Sequence, residues 1–135
     1  MATIKSHLAK AEHNKALAEF LKGQSDYLDW QVVAIFYAAL HKVQAMLRVA
    51  GYTEMQTDSH VKVKSILNSE FTDIGVDYTL LLSQSHVSRY DADYVTTVQD
   101  VNKAQSLLDS IDTKIRRATA ILVKNRTSKG GSDET

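Results

Sequence analysis

The 135 residues contain no cysteine and no proline. The first absence excludes disulfides, thiolate metal ligands and thiol nucleophiles. The second suits a helical bundle with short connections, because a folded chain of this size rarely avoids proline otherwise. Net formal charge is zero, so no global field draws the chain to nucleic acid or to an anionic membrane. Several catalytic signatures are missing as well. There is no phosphate-binding glycine loop and no Gly-x-Ser-x-Gly elbow. Neither His-Glu-x-x-His nor the repeated Glu-x-x-His pair of a di-iron bundle occurs; Glu12 merely adjoins His13. No metal and no cofactor is expected.

Against these absences, 44% of residues are apolar and 24% charged, which is ordinary for one globular domain. The dominant stretch is Tyr27 to Val49, YLDWQVVAIFYAALHKVQAMLRV. Between Trp30 and Leu40 its only polar groups are Gln31 and the Tyr37 hydroxyl. A helix apolar on nearly every side belongs at the centre of a helical fold. Residues 30–40 are shorter than the roughly 20 apolar residues a bilayer span needs, so no membrane is expected. The opening MATIKSHLAKAEHNK is polar and lacks a leader's apolar core, which points to the cytoplasm.

Other helices read less strongly. Residues 3–22 carry an alanine-rich stripe of Ile4, Leu8, Ala11, Ala16, Ala18 and Leu21, with Gly23 placed to cap the end. Ser25 or Asp26 is expected to cap the central helix, and Gly51 to stop it. Asp58 or Ser59 can start a third helix from His60 to about Ser69, with Val63, Ile66 and Leu67 facing inward. Phe71–Val76, containing Gly75, reads as a turn, after which Asp77 caps a fourth helix through Tyr78, Leu81, Leu82, Ser85 and Arg89. RYDADY at 89–94 interrupts that pattern. Val98, Val101, Ala104, Leu108, Ile111, Ile115, Ala118 and Leu122 then step by three and four, the signature of a long amphipathic helix. It is expected to end near Asn125, followed by a disordered polar tail at 127–135. The whole reads as an all-α, up-down bundle of four to five antiparallel helices around 27–49, one domain over 1–126.

Charge is uneven along the chain. Phe71–Asp112 holds seven aspartates against Arg89 and Lys103, a net of −5. Lys114–Lys129 holds six basic residues and no acid. Cations near a helix C-terminus complement its dipole, and no aromatic residue interleaves them for base stacking.

Polar side chains on apolar helices need partners or water. At 100° per residue, Tyr37, His41, Gln44 and Arg48 form one stripe on the central helix. A histidine beside an arginine suits an anionic ligand; the commoner reading is a histidine bonded to a neighbouring helix. His60, at a helix start, can cap or act in acid–base chemistry. His7 and His13 read as solvated. His86 and Arg89 are three apart and share a face. Arg89 could pair with Asp93 between Tyr90 and Tyr94, or hold a phosphate.

The segments AEHNKALAEFL, DWQVVAIFYAALHKVQAML, SHVKVKSIL and LLLSQSHVSRYDADY, within residues 10–94, resemble the HEPN group of small prokaryotic helical domains. The resemblance implies a helical bundle that pairs into a two-fold dimer. It implies association with nucleotides or RNA, or with a partner protein, in RNA cleavage, toxin–antitoxin or phage-defence systems. The family's ribonuclease motif is an arginine followed four to six residues later by a histidine. None of Arg48, Arg89, Arg116, Arg117 and Arg126 has that neighbour, so no catalytic residue carries over. The expectation is a nucleotide- or RNA-associated binding module with a cleft from Tyr37, His41, Arg48, His60, Arg89, Tyr90 and Asp93. The alternatives are a divergent metal-independent ribonuclease using His60 or His86 with Arg89, and a purely structural protein–protein interaction module.

Overall fold

The computed structural model describes residues 2–133, with side chains described as far as residue 125. It is an all-α bundle of five helices: α1 (Ile4–Leu21), α2 (Leu28–Val49), α3 (His60–Glu70), α4 (Thr72–Tyr90) and α5 (Val98–Asp133). No strand occurs among the described residues. As the apolar run predicts, α2 is the hub. It packs against α1, α4 and α5 and touches α3. Val32, Ile35, Ala38, Val43 and Leu47 are sealed in the core, with Leu67, Tyr78, Leu81, Ala104, Leu108 and Ile111 closing around them.

By length and composition alone Ser25–Val49 could cross a bilayer, contrary to the expectation drawn from residues 30–40. Within the fold, 72% of its apolar window is buried, so its apolar surface is already covered by other helices.

Local chemistry sets the helix ends. Thr3 and Ser6 form a capping box at the start of α1, each side chain accepting from the other's backbone N–H. Gly23 and Gly51 turn the chain past α1 and α2 at φ 85° and 105°, a region that penalises side chains. Ser25 and Asp26 do not cap α2. They lie in a short 3-10 turn, Ser25–Tyr27, and the N-cap position falls to Tyr27, which makes no side-chain cap bond. Ser59 caps α3 by accepting from the Lys62 N–H.

The expected turn at Phe71–Val76 is helix. Only Phe71 breaks the path, at φ −138° and ψ 59°, and α4 begins at Thr72. Gly75 serves packing instead of turning: a Cβ there would lie 2.7 Å from Asn68 Oδ1 and 3.2 Å from the Leu67 backbone. Glycine lets α4 fold back tightly on α3. Asp77 is correspondingly not a cap. It is buried mid-helix and accepts from Ser110 Oγ at 2.6 Å and Lys114 Nζ at 2.8 Å, tying α4 to α5. Lys42 and Asp112 tie α2 to α5.

In α5, Val101, Ala104, Leu108 and Ile111 are buried as the periodicity requires, while Val98 stands exposed. Thr97 and Asp100 cap its start reciprocally. The helical backbone continues past Asn125 to Asp133; Glu134 and Thr135, at the end of the expected tail 127–135, lie outside the described residues. The side chains of Arg126 and Lys129 also lie outside them.

Candidate functional site

The polar residues singled out by sequence fall into three groups. The first is part-buried and internally paired. His7, read as solvated, is only 4% exposed, because it shares the inner face of α1 with Ala11 and Ala18. Its Nδ1 lies 3.1 Å from His41 Nδ1 on α2, and its Nε2 lies 2.8 Å from Glu54 Oε2. Arg48 Nη1 donates to the same Glu54 oxygen at 3.1 Å and to the Ala2 carbonyl at 2.7 Å. A carboxylate facing Nε2 favours a proton there, and the 3.1 Å between the two facing Nδ1 atoms leaves room for one proton at most. Burial, followed by the charges of His7 and Lys10, holds the His41 pKa below the usual histidine value. Every strong polar group here has an internal partner, which makes the group a clamp joining α1, α2 and the loop at Glu54.

The second group is open. Arg89, in the last turn of α4, donates through Nη1 to Tyr37 Oη at 3.1 Å. Its Cζ stands 5.8 Å from the Trp30 ring centroid and 5.1 Å from that of Tyr90. Trp30 is 48% and Tyr90 63% exposed. Asp93 does not pair with Arg89; its backbone N–H donates to Asp91 Oδ1, and no carboxylate among the described residues forms an ion pair with the guanidinium. Tyr94 turns instead to Asp100, donating to Oδ2 at 2.7 Å. That bond raises the phenol's pKa.

The third group lines a groove of about 480 Å³ between α3 and α4. His60 and Lys64 enter from α3, and Thr79, Leu82, Ser83 and His86 from α4. His86 also packs on Tyr90, ring centroids 4.9 Å apart. The third group therefore abuts the second along the outer side of α4.

Thus His60 and His86 line one groove, and Tyr37 and Tyr90 meet Arg89, whereas His41 and Arg48 turn to His7 and Glu54. Sequence reasoning placed His7 in solvent and passed over Glu54, Lys64 and the exposure of Trp30. The spacing of His7, Ala11 and Ala18 on one α1 face was the available signal for the first; a loop glutamate offers none. Among the described residues, no cluster of three or more histidines and carboxylates is arranged to hold a metal.

What fold and geometry define together is an all-α bundle with an arginine, free of ion pairs among the described residues, beside two exposed aromatic rings. No protein-family model, no curated protein and no solved structure matches this chain.

Proposed function

We propose that this chain is a HEPN-like helical module that binds a nucleotide or a short stretch of single-stranded RNA at Arg89, Trp30 and Tyr90. The observation that carries the reading is a guanidinium lying over two exposed rings with no ion-paired carboxylate among the described residues. A nucleobase stacked on such rings contributes about 1–3 kcal/mol. The guanidinium adds a charge-assisted bond to a phosphate oxygen. Tyr37 holds the arginine in place from α2. The aspartate-rich composition of 71–112 repels a long polyanion, so the fitting ligand has few phosphates and binds with shallow salt dependence. Two-fold pairing and a cytoplasmic location belong to the same reading.

The test is equilibrium binding of a labelled oligoribonucleotide, followed by electrophoresis of the recovered RNA. Binding that Arg89→Ala weakens by about tenfold, with the RNA recovered intact, supports the module. A wild-type protein that leaves the oligonucleotide free at millimolar concentration sinks it. The second reading, a metal-independent ribonuclease, is favoured by one observation: His60 and His86 line a single groove, as an acid–base pair would. It predicts RNA fragments that disappear in His86→Ala.

A further inference from the structure

We infer that the groove between α3 and α4 is a phosphate-binding pocket in which His60, Lys64 and His86 surround the phosphate of a bound nucleotide. The source of the phosphate rests on the proposal above; the pocket itself does not.

Three observations converge on it. The groove's lining contains one ammonium and two imidazoles but no carboxylate, although the chain as a whole is neutral. His60 is the first residue of α3, an eleven-residue helix whose positive dipole end therefore opens on the groove. Ser59 satisfies the Lys62 N–H, but the His60 and Val61 N–H groups precede the first intrahelical bond.

The surroundings reinforce the sign of the field. The nearest ion pair at the start of α3, Lys62 with Asp58, is self-neutralised at 2.8 Å. Leu82, Val61 and Val87 form the apolar remainder of the lining, which lowers the local dielectric and strengthens each charge–phosphate contact. His86 reaches the Tyr90 ring, so a phosphate in the groove is one side chain away from a base on the Arg89 platform.

Inorganic phosphate titrated into the full chain, followed by the ring proton resonances of the five histidines, tests the pocket. The expected result is a saturable shift of His60 and His86, with His13 unmoved. Lys64→Gln should weaken phosphate by about fivefold or more. His60→Gln should weaken it too without lowering the melting temperature, which separates ligand contact from folding. Unmoved His60 and His86 resonances at about 50 mM phosphate overturn the pocket, as does wild-type affinity in Lys64→Gln. A nucleoside monophosphate that shifts both histidines more tightly than phosphate alone identifies a nucleotide as the source. Phosphate binding at His60 and His86 with no response of Trp30 emission to an added nucleoside leaves the pocket standing and defeats the Arg89 platform.

Discussion

The two halves of one polar stripe on α2 meet different fates. Toward the C-terminal half, His41 and Arg48 are closed in by His7 and Glu54, and each has an internal partner. Toward the N-terminal half, Tyr37 meets Arg89, which forms no ion pair among the described residues and stands beside two exposed rings. A charge that the fold itself satisfies is structural, and removing its partner costs stability. A charge held in place by a neutral phenol, with aromatic surface around it, costs the fold little to lose and is free to meet a ligand. Residue type alone does not separate these cases, since both groups pair an arginine with a ring system.

The largest effect should come from breaking the closed half. Glu54→Ala leaves buried His7 Nε2 without its partner and Arg48 with the Ala2 carbonyl alone, and should cost about 2–4 kcal/mol in urea unfolding. A loss under about 0.5 kcal/mol would mean that the clamp is not structural. Arg89→Ala, at the open half, should leave unfolding within about 1 kcal/mol of wild type while removing most nucleotide affinity. The reverse pattern, large destabilisation with affinity intact, would erase the contrast between the halves.

Acid sharpens the same comparison. The His41 pKa is depressed in the folded chain, so its stabilising contribution is fully present above the unfolded value near 6.5 and is lost as pH falls through the folded value. The melting temperature should therefore decline on acidification from about pH 6.5, and His41→Phe should flatten that decline. An unchanged slope in His41→Phe would assign it to other groups. The smallest effect concerns self-association. Trp30 emission should not depend on protein concentration if its ring stays open; a concentration-dependent shift would place Trp30 in a contact between copies instead.

Much of this architecture was legible from the chain, for reasons that are local. A run as apolar as 30–40 has nowhere to go but the centre, and the three-and-four spacing of α5 names its inner face. Gly23 and Gly51 mark ends because their backbone requires positive φ. Gly75 misled: glycine also permits close helix packing, and that demand comes from Asn68 and the Leu67 backbone, invisible in a local window. Asp77 misled likewise, since its partners Ser110 and Lys114 lie 33 and 37 residues away. The site was legible in its parts but not in its grouping. Arg89 and Tyr90 stood out as a charge beside an aromatic, yet nothing local to them points to Trp30, which comes from another helix. An all-apolar helix also conceals which of its members reaches the surface, and Trp30 does so because it lies at the end where α4 stops.

Trp30 is the sole tryptophan, so its emission reports on the open half without a label. Nucleoside monophosphate added to the wild-type chain should quench that emission saturably, and the same addition to Arg89→Ala should leave it nearly unchanged. Emission that stays constant in the wild type through millimolar nucleotide would contradict the account at its centre.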